Sequence, residues 1–150
     1  MPFLSSMNIS ASALTANRFR MDVIAENMAN IQTTRTPDGG PYRRRYVIFQ
    51  EREPSLNFSS IFNRTTLKNA PYAVGNGVRV VSVGEDQSPF KLDYNPAHPD
   101  AEEDGYVRLP NVEVVQEMVD MMAAYRAYEA NITALNVFKD MAVKTLEIGK

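Results

Sequence analysis

Few residues in this chain are of types that do chemistry. None of its 150 residues is Cys and His98 is its single His. A thiolate nucleophile, a structural disulfide and the common Cys-based zinc sites are therefore excluded. Metal binding would rest on His98 plus carboxylates, and Ser-His-Asp catalysis would have one candidate base. His98 stands between Pro96 and Pro99 with no helical His-x-x-x-His spacing, which reads as a turn. Glu102-Glu103-Asp104, neighbours in a Pro-rich stretch, read as a solvated face rather than an acid/base pair. Gly75-Asn76-Gly77 lacks the third Gly and the strand-to-helix setting of a dinucleotide fingerprint and reads as a tight turn. The sequence contains no phosphate-cradling Gly-rich loop ending in Lys-Ser or Lys-Thr and no Gly-x-Ser-x-Gly.

Tyr42-Arg43-Arg44-Arg45-Tyr46 combines cations with aromatic rings, as platforms for single-stranded nucleic acid do. On a strand, however, Arg43 and Arg45 would face one way and Arg44 the other. With a net charge of −2 there is no general electrostatic pull toward nucleic acid. Pairing with acidic partner surfaces is the stronger reading, because a guanidinium fork suits carboxylates. The expectation is a protein without cofactor, metal or small-molecule substrate, and not an enzyme.

The elements carrying these residues fall into three zones. In the first, Met7, Leu14, Met21 and Met28 recur every seven residues, with Ala11, Ala25, Ile24 and Ile31 beside them. This predicts an amphipathic helix over 5–32, capped by Ser5, Ser6 or Asn8. Pro37 and the turn-forming Asp38-Gly39-Gly40-Pro41 require it to end before Thr36. In the last zone, Val114, Met118, Met121, Tyr125, Tyr128, Ile132, Leu135, Ala142 and Leu146 follow steps of four and three, with Phe138, Met141 and Ile148 forming a second stripe. Asn111 as cap and Gly149 as stop predict a helix over 112–148, roughly 55 Å long. Between them, Tyr42 to Gln50 and Val78 to Val83 read as short strands. Glu53 to Asn69 reads as a loop, and Asn95 to Gly105 as a solvated turn leading into Tyr106 to Leu109. The fold class is mainly α with a small β-rich middle, the long terminal helices paired as a coiled-coil-like hairpin. The domain division is 5–32 with 112–148, against a middle region 36–110.

Each apolar stripe must leave water, and burying a Met, Leu, Ile or Tyr contributes roughly 1.5–3 kcal/mol. The helices are unequal, so pairing alone leaves part of the longer one uncovered. Their many Ala residues permit close approach by more than one neighbour, and eight Met residues adapt to non-identical surfaces. The simplest reading is a helical pair that completes its burial among copies or relatives; the alternative is a hairpin within one chain with a half-exposed long helix. No run approaches the roughly 20 apolar residues of a membrane span. Met1 to Asn17 has no Lys or Arg and is broken by Ser5, Ser6, Asn8, Ser10, Ser12 and Thr15, unlike a cleavable secretory signal.

Three stretches of sequence then carry a resemblance. Ile9 to Ala16, Arg20 to Asn30 with its Glu-Asn-Met-Ala-Asn, and Thr34 to Arg44 with its Gly-Gly-Pro-Tyr-Arg-Arg closely resemble the bacterial flagellar basal-body rod proteins, at the proximal rod. Asn95 to Ala101, Gly105 to Val112, Glu117 to Met121 and Tyr128 to Ile132 agree, leaving about 53 to 75 without support. The resemblance implies a non-enzymatic subunit of a hollow helical drive shaft that transmits torque. The terminal helices would form its inner tube layer and the middle would set lateral contacts. It implies as partners other copies, other rod proteins, the basal-body adaptor at the membrane ring and the flagellar type III export apparatus. The location would be the periplasmic rod, reached without a cleaved signal peptide. The expected interaction residues are Met7, Leu14, Met21, Ile24, Asn27, Met28 and Asn30 on the first helix and Arg43, Arg44 and Arg45 in the middle. On the last helix they are Val114, Met118, Met121, Tyr125, Tyr128, Ile132, Leu135 and Leu146. Asn27 and Asn30 are assigned to hydrogen bonds at the end of the first helix. Rival readings are a hook or distal-rod component, or a cytoplasmic coiled-coil adaptor binding RNA through Arg43 to Arg45.

Overall fold

The computed structural model describes residues 2–37, 39–52 and 75–148. The chain runs through helix α1 (Pro2–Ala29), strands β1 (Arg45–Glu51), β2 (Val78–Glu85), β3 (Lys91–Tyr94) and β4 (Tyr106–Leu109), and helix α2 (Val114–Ile148). β1 pairs antiparallel with β2, with a register shift between Ile48 and Phe49, and β3 pairs antiparallel with β4. The result is two helices with two small two-stranded sheets between them, mainly helical with some β.

α1 and α2 pack against each other. Asn27 near the end of α1 meets Glu117 near the start of α2, while Arg20, two turns earlier, meets Asp120, further along. The pair is therefore antiparallel. At 1.5 Å per residue α2 is about 52 Å long and α1 about 42 Å, so the longer helix extends past its partner.

Several boundaries differ from the sequence reading. α1 starts at Pro2, whose missing N–H costs nothing in a first turn; Ser5, Ser6 and Asn8 lie inside the helix rather than capping it. It ends at Ala29, not 32, because the Asn30 amide takes the Glu26 carbonyl (2.9 Å) and Thr33 folds back onto Asn30 through its backbone N–H and its hydroxyl. β1 starts at Arg45 rather than Tyr42, since the backbone N–H of Tyr42 donates to Thr33 and that of Arg44 to Asn111. Asn111 does not cap α2, which begins at Val114. Its side chain instead accepts from Arg44 N (2.8 Å) and donates to the carbonyls of Asp86 and Ser88. β3 went unread because it is four residues long and exposed throughout. The Asn95–Gly105 stretch joins β3 to β4, with Asn95 N bonded to Gly105 O. The readings of Glu53 to Asn69 as a loop and of Gly149 as a stop lie outside the described residues.

Gly75-Asn76-Gly77 is not the tight turn of a hairpin. Gly77, at φ +95°, brings the start of β2 so close to α1 that a Cβ there would lie 2.2 Å from Ser12 Oγ and 3.3 Å from Ile9 Cα. Val78 N then donates to the buried Ser12 hydroxyl (3.1 Å).

The buried core lies at one end of the helix pair. It comprises Ala16, Val23 and Ile24 of α1, Tyr42, Val107 of β4, Val112, and Ala124 of α2, which is 1% exposed. From residue 125 to 147 no described residue is buried.

Candidate assembly site and its polar lock

The packing of α1 on α2 is set by a buried polar cluster. Asn27, fully buried, uses its complete hydrogen-bonding capacity. Its Nδ2 donates to Arg45 O (2.8 Å) and to Glu117 Oε2 (3.1 Å), and its Oδ1 accepts from Tyr42 Oη (2.9 Å) and Arg45 N (2.9 Å). Glu117, also fully buried, receives Arg44 Nε on its other oxygen at 2.6 Å. The same guanidinium reaches Asp120 at 3.2 Å, and Arg20 closes the chain from α1 at 3.5 Å. One side chain on α1 thereby binds the backbone entering β1 and the first turns of α2 together. No buried side-chain polar atom among the described residues lacks a partner, the condition under which a buried network specifies a unique packing.

The Tyr42 phenol is held neutral within this cluster. Burial pushes its pKa up to about 12, the negative charge of Glu26 acts the same way, and Arg45 opposes them. A neutral phenol is what the bond to Asn27 Oδ1 requires, since the oxygen must donate. At the surface, Ser88 through its hydroxyl and its N–H holds the Asp86 carboxyl below its ordinary value.

The three arginines do not form an open patch. Arg43 lies over Phe90, 4.4 Å from the ring centroid, and donates to Asp86 O. Arg44 is committed to Glu117 and Asp120, and Arg45 to Glu26 (2.8 Å) and Glu85 (3.8 Å). Pairing with acidic groups of a partner was the expectation; Arg44 and Arg45 pair with carboxylates of their own chain. The RNA platform loses Arg44 and Arg45 for the same reason. His98 accepts Asp100 N on Nδ1 within the β3–β4 connection, and Glu102 pairs with Arg108. Among the described residues no cluster could hold a metal ion, and no helix is long and apolar enough to cross a membrane.

The remaining expected interaction residues divide into two sets. Ile24 is buried, and Met7, Leu14, Met21, Met28, Asn30, Met121, Tyr128 and Leu135 are half-buried. Val114, Met118, Tyr125, Ile132 and Leu146 are exposed, Tyr125 at 56% and Leu146 at 75%. The protected row of α2 is Glu117, Met121, Ala124, Tyr128, Asn131, Leu135, Phe138 and Ala142. It shares every seventh residue with the expected stripe and replaces the rest, because the row centres on Ala124, whose small side chain admits α1. Left outside are Val115, Met118, Val119, Met122, Tyr125, Ile132, Val137, Met141, Val143 and Leu146. Asn27 makes its hydrogen bonds near the end of α1, and they reach beyond the helix to Tyr42, Arg45 and Glu117, which makes it the centre of the lock. The sequence reading missed Tyr42, Asn111, Glu117, Asp120 and Arg20 as functional positions. The available signal was a lone carboxylate, Glu117, four residues before Met121 and seven before Ala124, on the row that faces inward.

Known proteins are similar to the chain at both ends and over its whole length. A family model described as "Flagella basal body rod protein" matches residues 7–35, and one described as "Flagellar basal body rod FlgEFG protein C-terminal" matches residues 103–148. The flagellar basal-body rod protein FlgC of Borreliella burgdorferi is 49% identical over 152 residues, covering 99% of this chain and 98% of the relative. The FlgC of Bacillus subtilis is 49% identical over 149 residues, with 97% of each covered, and that of Escherichia coli O157:H7 is 43% identical over 150 residues and 100% of each.

Proposed function

This chain belongs to the FlgC family of flagellar basal-body rod proteins, and from that premise we propose that it builds, with other copies and other rod proteins, a hollow helical drive shaft that transmits torque. Its role is structural, that of a rod subunit in the motility machinery, and its chemistry is contact rather than catalysis. The terminal helices form the inner layer, paired as a coiled-coil-like hairpin. The four-three alternation of the row from Glu117 to Ala142 supports that pairing. Residues 36–110 form the outer part and set lateral contacts. The rod lies in the periplasm, reached through the type III export apparatus without a cleaved signal peptide, and its base meets the adaptor at the membrane ring.

One observation carries this reading. α2 is already paired with α1, yet between residues 125 and 147 it buries nothing completely, although Tyr125, Ile132, Val137, Met141, Val143 and Leu146 lie there. A solvated monomer gains nothing from such a row, whereas neighbouring subunits would bury it at roughly 1.5–3 kcal/mol per large side chain. The test replaces Met118 and Met122, both about half exposed, with Asp. The variant keeps the helical content of the wild type but is absent from purified basal bodies and its cells do not swim. Normal incorporation and swimming would refute the shaft reading.

A further inference from the structure

We infer that Asn76 is a site of spontaneous deamidation whose product loosens the seating of β2 on α1. Asn76-Gly77 is the chain's single Asn-Gly pair. Glycine leaves its own nitrogen unshielded by a side chain and its backbone free to bring that nitrogen to the preceding amide carbon. Among the described residues, neither the Asn76 amide nor the Gly77 N–H is engaged in a hydrogen bond, and the pair lies in irregular backbone.

The other described asparagines each lack one of these conditions. The Asn27 and Asn111 amides are bonded at both hydrogens. Asn17, Asn30 and Asn131 donate to carbonyls one turn earlier. Asn8 and Asn136 lie inside helices, where the following N–H is held in the helical ladder. Asn95 precedes Pro96, which has no N–H to give.

The reaction is balanced by water alone. Gly77 N attacks Asn76 Cγ and loses its proton, the side-chain nitrogen departs as ammonia, and a succinimide ring closes. Water then opens the ring at either carbonyl, giving aspartate or, with one extra backbone atom, isoaspartate. Both products disturb the site. Either product puts a negative charge on the residue immediately before Gly77, whose carbonyl accepts from Arg52 N (2.8 Å). The extra atom of isoaspartate enters immediately before Gly77, which lies so close to Ser12 and Ile9 that even a Cβ there would collide with them.

The test incubates the full chain in mildly alkaline buffer at physiological temperature, in ordinary and in heavy-oxygen water, followed by peptide mass mapping and amide hydrogen exchange. The peptide carrying Asn76 converts several-fold faster than any other asparagine peptide, incorporates one heavy oxygen, and is silent in Asn76→Gln. In the converted chain Val78 N–H, bonded to Ser12 in the fresh protein, exchanges faster. An Asn76 peptide that stays unconverted, or converts no faster than the rest, overturns the site. Unchanged exchange at Val78 in the converted chain overturns the loosening.

Discussion

Replacing Arg44 by Met would strip Glu117 of its one cation. Glu117 is fully buried and its carboxylate lies 2.6 Å from Arg44 Nε, with only the Asn27 amide on the other oxygen. Removing one partner of a buried pair leaves an uncompensated charge and costs about 3–5 kcal/mol. Arg44 is itself 24% exposed at its side chain, so water reaches part of the site and the lower end, about 3 kcal/mol, applies. Against a total stability of about 5–15 kcal/mol for a folded domain, that loss unseats the start of α2 from the end of α1. Urea unfolding followed by far-ultraviolet circular dichroism measures it, with the midpoint falling and the slope unchanged. The second arm is Glu117→Gln in the Arg44→Met background. A neutral amide can still accept from Asn27 and no longer needs a cation, so the double variant recovers roughly 1–3 kcal/mol, the coupling expected of residues in one network. An Arg44→Met protein within about 1 kcal/mol of wild type, or a double variant no more stable than the single, would refute the claim that this cluster holds the helix pair.

Gly77→Ala combines a positive φ with a Cβ 2.2 Å from Ser12 Oγ and costs about 2 kcal/mol or more by urea unfolding, part of it regained by adding Ser12→Ala. Tyr42 ionises near 12 instead of the ordinary 10.0. Below 10 its contribution is intact, and as pH rises toward 12 the unfolded chain loses a proton that the folded chain keeps, so stability falls across that window. An ultraviolet phenolate titration shows one late tyrosine that Tyr42→Phe removes. Met118→Asp with Met122→Asp leaves stability of the isolated chain within about 0.5 kcal/mol while abolishing incorporation into basal bodies, a split that unfolding curves beside basal-body preparations detect.

The sequence showed the period of each helix but not its phase. Val114, Met118, Met121, Tyr125 and Tyr128 trace a genuine four-three row, yet a helix that must serve an intramolecular partner and several outside surfaces carries apolar residues on more than one face. Periodicity alone cannot say which row turns inward. The choice fell to small and polar residues that an apolar count passes over. Ala124 allows close approach, and Asn27 and Glu117 satisfy each other across the seam. The arginine run misled in the same way: its alternation was read from strand geometry, but its fate was decided by carboxylates 73 and 76 positions away in the chain, a separation no local pattern reports. What local pattern did report, the two helices and the strands β1 and β2, rests on breaking and branching preferences that act within a few residues. The division is physical. Local geometry is encoded locally, whereas the assembly face is whatever apolar surface remains after the polar lock has fixed how α1 and α2 meet. A variant that shifts the lock should therefore change the assembly face without touching one of its residues, and Asn27→Asp, which sets a second carboxylate against Glu117, is the most direct such variant. It should impair incorporation into basal bodies while Met118 and Tyr125 stay unaltered, and normal incorporation would mean that the exposed row is fixed by the helix alone.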